Sequence, residues 1–373
     1  MRVLRSFAVI AAFTSVVACS NEAVRLTPNA VATPTPAPTA APAGSVGSLK
    51  TITTIASTVD VGTGAGEGDQ NPYGLAIAPV TAGLETAGDL IVCNFSDKAN
   101  VNGNGTTIED ISPVPGSTPK RLAQSASLAG CDAVSMAPNG NVWAADYTAN
   151  NNPIVSPSGA IKTTLAQGPW AGPWGQMFNG GNGGLPAFFV TNAKNGTVIR
   201  INININNTPP TFTFDTILTG LSYNNGAPGN ILAPAGLTYD KPSDTLYIVD
   251  SNANRVIRIN GATTAPPNTY AASGSTFNSA MVSTVFQGTP LASPISMTTL
   301  ANGDLVVANT AANTLGNNVL VEINPATQAV VSTTNVDPGA AGALFGMVAA
   351  VVNGTQTIYF NDDNDNTVKS LTP

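Results

Sequence analysis

Along most of this chain apolar residues come in short runs, alternating or continuous, and each run is closed by a cluster of Asn, Asp, Gly, Ser or Pro. Runs of that length with period two predict strands, and the polar clusters between them predict turns. No long stretch carries the three-to-four spacing of an amphipathic helix. The clearest unit is Pro234 to Asn260, PAGLTYDKPSDTLYIVDSNANRVIRIN. A Pro-x-Gly step leads into an apolar run, a polar turn follows at Lys241 to Asp244, and Leu246 to Val249 form a second strand that ends at Asp250. Asn252 to Asn254 make another turn, and Val256, Ile257 and Ile259 open a third strand.

This unit recurs six times, with entering positions at Gly74, Ala133, Gly175, Gly236, Ser296 and Gly346, in steps of 59, 42, 61, 60 and 50 residues. Each is followed by a second strand ending at Asn94, Asp146, Asn192, Asp250, Asn309 or Asp362. Third strands follow near Ile108 and Val155, and at Gly196 to Ile201, Arg255 to Ile259, Asn318 to Ile323 and Thr367 to Leu371. Fourth-strand segments precede the later entering motifs, at Arg121 to Ser125, Ile161 to Ala166, Phe214 to Thr219, Met281 to Phe286 and Val330 to Val336. Repeats of this size, each holding several strands, predict an all-β fold, a six-bladed β-propeller of four-stranded blades. The segment Lys50 to Thr58 has no blade of its own and the last blade lacks a fourth strand, so the N-terminal strand is expected to complete the last blade and close the ring.

The first 47 residues break this pattern. Arg2 and Arg5 precede an apolar run, Phe7 to Val17, that is shorter than the roughly 20 residues a bilayer-spanning helix needs. Residues 1–18 therefore read as a secretory signal peptide. Val16, Val17, Ala18 and Cys19 resemble the bacterial lipobox, which implies a lipid on Cys19; Ser20 in place of Asp leans towards the outer membrane. The expected location is the bacterial cell envelope, lipid-anchored and extracytoplasmic. Residues 19–47 are rich in Pro, Ala and Thr and read as a tether. The propeller is expected over 48–373.

Composition narrows the function. Charged residues make up 9% of the chain and the net charge is −7, which opposes nucleic acid and anionic lipid surfaces as partners. There is no histidine, so the commonest general base and the serine triad are absent. The Pro-x-Gly step, the apolar-apolar-Asp strand ending and the Asn-x-x-Val-x-x-Ile strand start resemble NHL repeats and gluconolactonase-like propellers over about residues 50 to 373. Such folds host lyases, lactonases and binding modules. The amidating lyases among NHL proteins hold metal through histidine, which this chain lacks. The gluconolactonase-like resemblance implies a Glu, an Asn and two Asp around one divalent cation. Asn71 and Asp132 occupy positions where such ligands project, but no Glu stands beside Asn71.

Asp132 begins an innermost strand close to the axis, where it either caps a turn or holds a cation or sugar hydroxyl. Trp170 and Trp174, in GPWAGPWGQ, either stack on a ligand or fill the space between blades. The six strand-ending Asn and Asp residues recur in every blade, which points to a shared structural turn. Asp362, Asp363 and Asp365 read as a solvated turn. With Cys19 lipidated, Cys93 and Cys131 remain, and an oxidising compartment favours a disulfide between them over two separate thiols acting as apolar fillers. The chain is thus expected to be a binding or interaction module for a glycan, small molecule or protein, with Asn71, Asp132, Trp170 and Trp174 as ligand-contacting candidates. No cofactor is assigned. The alternative is a metal-dependent lactonase or related hydrolase using calcium or another divalent cation at Asn71 and Asp132, with Asp132 as the candidate catalytic residue.

Overall fold

Alternation puts successive side chains of a strand on opposite faces of its sheet, and a sheet apolar on both faces must be covered on both. In the computed structural model, which describes residues 45–373, each sheet is covered by its two neighbours in a ring. The strands of the first three blades are Gln70–Ile77, Leu90–Ser96, Thr107–Ile111 and Lys120–Gln124; Cys131–Met136, Val142–Asp146, Pro153–Val155 and Ile161–Thr164; Pro173–Phe178, Ala187–Asn192, Thr197–Asn204 and Thr211–Thr219. Blades four and five are Pro234–Asp240, Thr245–Asp250, Arg255–Asn260 and Val282–Gln287; Pro294–Thr299, Leu305–Asn309, Asn318–Asn324 and Ala329–Asp337. Blade six takes Met347–Val352, Thr355–Asp362 and Thr367–Thr372, and its fourth strand is Thr51–Ser57 from the start of the described chain. That strand runs antiparallel to the last one, from Thr51 opposite Thr372 to Ser57 opposite Thr367. The protein is a six-bladed β-propeller closed by its N-terminal strand.

The period-two pattern explains the interfaces. In blade three, Phe188 and Val190 face blade two, in a cluster with Trp143, Ala145 and Ile154, while Phe189 between them faces Leu237, Leu246 and Ile248 of blade four. The entering small residues have a packing reason. Innermost strands of neighbouring blades approach so closely that a Cβ at Gly175 would lie 2.0 Å from the Ala235 carbonyl oxygen, and one at Gly346 would lie 2.2 Å from the Tyr73 carbonyl oxygen. In the first five blades the innermost strand also carries a register shift at its start, as between Pro72 and Leu75 or Cys131 and Ala133. Such bulges bend a strand locally.

Two features depart from the sequence pattern. A hairpin, Tyr270–Ser273 and Thr276–Phe277, leaves blade four and lies against blade three, where Leu218 and Thr219 pair in parallel with Tyr270 and Ala271. Its two strands are only four and two residues long and follow Pro266 and Pro267, too short to show an alternation. The packed unit also begins before Ser48: Val46 is fully buried, and the Glu322 carboxylate accepts from the Ser45 hydroxyl (2.7 Å) and the Val46 amide (2.9 Å). Residues 1–18, Cys19 and the tether up to residue 44 lie outside the described residues.

Candidate functional site

Each innermost strand begins on the face where the second strands end, called here the upper face. Loops converge there around a cup of about 530 Å³, with Asn71, Asn102, Asn224 and Asn230 in its wall and Asp363 the single acidic residue of its lining. A second cavity, about 450 Å³, runs down the axis between the six innermost strands. Tyr73, Trp174, Ile295 and Phe345 line both, so they stand between them. The rings of this partition interlock. Tyr73 is stacked between Phe95 (4.2 Å between centroids) and Phe345 (3.8 Å), and Trp174 meets Tyr73, Phe95 and Tyr147 edge-on. Tyr73 and Trp174 are buried, whereas Phe345 is partly open. The lower cavity is mostly apolar, with Leu75, Val134, Leu237 and Val348 in its wall.

Asn71 adopts a left-handed backbone (φ 66°), a conformation Asn tolerates better than most residues. With its side-chain amide turned so that the nitrogen faces Asp363, Asn71 donates to that carboxylate and its oxygen accepts from the Ser96 hydroxyl at 3.0 Å. Asn71 therefore orients Asp363 within the cup. Burial, reinforced by neighbouring Asp362, pushes the Asp363 carboxyl up to about 7. Asp362 and Asp365 are ion-paired with Lys369 (2.6 and 2.8 Å). Since Asp362 is fully buried, the expected solvated turn is half correct: the lysine, on the partner strand of the last hairpin, makes Asp362 structural.

Asp132 lies on the other cavity and does not join Asn71. It and Asp146 are buried, and neither carboxyl has a hydrogen-bond donor in place among the described residues. Burial raises both far above the usual carboxylate range, and for Asp132 the nearby Asp146 adds to it while Lys194 opposes it. Among the described residues no three His, Cys, Asp or Glu side chains converge as metal ligands.

Trp170 lines neither cavity; it packs between blades two and three against Phe214, with its indole N–H donating to the Leu165 carbonyl. Trp174 is placed at the axis, in the floor between the cavities rather than on an exposed loop. Among the strand-ending residues, Asn192 illustrates the role of the asparagines. Its amide accepts from the Ala171 amide (3.1 Å) and donates to the Pro169 carbonyl (2.9 Å) and Thr197 hydroxyl (3.0 Å), tying the incoming linker to the third strand. Asn309 likewise binds the Ala292 amide and the Pro290 carbonyl, and Asp250 pairs with Arg255 at 2.8 Å. Cys93 and Cys131, on adjacent blades, are joined in a disulfide with Cα atoms 5.9 Å apart.

No protein-family model and no curated protein sequence matches the chain. Solved structures match its fold. A chain of the nidogen/laminin complex aligns with a TM-score of 0.50 at 15% identity, over 75% of this chain and 85% of its own. A catalytically inactive virginiamycin B lyase from Staphylococcus aureus, crystallised with quinupristin, aligns with a TM-score of 0.50 at 16% identity, over 82% of this chain and 96% of its own. At these identities the likeness is one of fold.

Proposed function

We propose that the chain is a binding module whose upper cup receives a small hydroxylated ligand, a sugar unit above all. The observation that carries this reading is the composition of the cup: an aromatic floor, a wall of asparagine amides and a volume of about 530 Å³. Aromatic faces suit the apolar C–H face of a sugar, amides exchange hydrogen bonds with hydroxyls, and the volume falls within the range of small-molecule sites. The fold alone assigns neither class, since its neighbours include a protein complex and a lyase. Against the metal-dependent hydrolase stands the separation of Asn71 and Asp132 into different cavities.

Titration of the protein with a panel of mono- and disaccharides tests this. At least one sugar should bind, and Phe345→Ala, which removes the partly open ring of the floor, should weaken that binding by about ten-fold. A panel in which nothing binds, or an affinity indifferent to Phe345→Ala, rejects the cup as the site. The lipobox-like Val16-Val17-Ala18-Cys19 supports display of this module on the outer membrane. Cys19→Ala should move the protein from the membrane fraction to the soluble one, because a doubly acylated anchor is lost; unchanged fractionation rejects the anchor.

A further inference from the structure

This inference rests on the cup being the ligand site and concerns what the ligand must carry. Among the described residues Asp363 is the only charged one in the cup's lining. The nearest lysine along the chain, Lys369, is occupied by Asp362 and Asp365, and the side-chain contact of Asp363 is the neutral amide of Asn71. The remaining lining is uncharged: amides, backbone, and the aromatic residues Tyr73, Trp174 and Phe345. A carboxylate held in a concave site with no basic group to counter it is costly to bury, and an opposite charge brought by a ligand relieves that cost. Ring faces attract cations as well, so the floor adds to the same preference.

We propose that the upper cup selects a hydroxylated ligand bearing a protonated primary amine, with the ammonium group on the Asp363 carboxylate and the hydroxyls on the surrounding asparagine amides. The ammonium has three donors, and the carboxylate, oriented by Asn71 through one edge, keeps lone pairs free to accept. An amino sugar satisfies the floor, the wall and the acid together, whereas a neutral sugar leaves the acid uncompensated and an acidic one is repelled.

The titratable groups around Asp363 are few. Asp362 is tied to Lys369, Tyr73 from blade one stays neutral because burial, reinforced by Asp363, raises it well above its usual range, and Asp337 acts on Asp362 from blade five. Loss of the Asp363 charge should therefore dominate the pH response of the amine's binding. Because its carboxyl titrates at about 7, the ionised form that holds the amine prevails at pH 8 and is largely lost at about pH 6.

The probes are methyl glucoside and its counterpart whose primary hydroxyl is replaced by an amine that remains protonated at pH 8, titrated into the full chain by calorimetry. The amine should bind about ten-fold more tightly than the neutral glycoside at pH 8. That advantage should shrink at about pH 6 in the unmodified protein and vanish at both values in Asp363→Asn. Equal affinities for the two probes in the unmodified protein, an advantage that persists in Asp363→Asn, or binding of neither probe overturns the proposal. If other neutral sugars bind and lose affinity in Phe345→Ala while the amine gains nothing, the cup remains the site and only the charge selection fails.

Discussion

Asp146 holds the same place in blade two that Asn94, Asn192 and Asn309 hold in blades one, three and five. The asparagines bond across the start of their blades; Asn94 donates to the Thr58 carbonyl at 3.0 Å and the Thr107 hydroxyl at 3.1 Å. Asp146 has no such bonds and is fully buried. Asp146→Asn should therefore stabilise the protein, by about 1–2 kcal/mol at neutral pH, by restoring donors where a carboxyl is left unsatisfied. The sign with pH follows from the raised carboxyl. The folded state holds its proton while the unfolded chain releases it near pH 4, so the wild type loses stability as pH rises from about 4, and the variant's advantage should grow over that interval. Urea unfolding at several pH values checks this; a variant less stable than the wild type at neutral pH refutes it. The repeat made the shared role of these positions legible, but which member lacks partners depends on the linker each one meets. Asp363 was less legible. It stands beside Asp362 in the same polar run, and only the turn of the last hairpin sends one carboxylate to Lys369 and the other into the cup.

The strand pattern was readable because every blade must bury both faces, and this forces the same short alternating runs six times over. The entering glycines were readable as a motif, and their cause lies in the approach of neighbouring innermost strands. Gly175→Ala should cost about 3 kcal/mol or more, because its Cβ would fall 2.0 Å from a backbone oxygen that has nowhere to move without shifting blade four. Thermal unfolding measures the loss; an unchanged midpoint would show that the two strands separate freely. Gly181, whose added Cβ would meet nothing within 4 Å, serves as a nearby comparison, although its left-handed φ of 67° makes a smaller penalty expected there too. The cup's wall was not readable, because Asn102, Asn224 and Asn230 come from connections without periodicity. Asn224 shows why. It accepts from the Gly226 and Leu232 amides, both at 2.9 Å, and donates to the Asn230 carbonyl at 2.7 Å, so it shapes a loop whose arrival at the axis is a matter of tertiary packing alone.

In the whole molecule, the ring depends on one strand supplied from the far end of the chain. Removing residues 50–58 would leave the strand Thr367–Thr372 with an open edge and would also empty the places of Ile55 and Ala56, which pack with Leu75, Leu90 and Val368 between blades six and one. Aggregation or loss of cooperative unfolding is expected. Deleting residues 27–44, by contrast, should leave the melting temperature unchanged. Equal behaviour of the two deletions, followed by calorimetry and light scattering, would count against closure as the source of stability. Nothing in the repeat itself indicated that the axis is partitioned, since Tyr73 and Phe345 sit just before entering glycines and look like ordinary core. Yet the partition of Tyr73, Trp174, Ile295 and Phe345 decides how anything could visit this molecule. With the floor shut, a guest in the cup has a single doorway and must depart by backing out. A long polymer cannot be threaded through and gripped along its middle, so the protein would recognise chain ends and free units, and two guests would wait their turn.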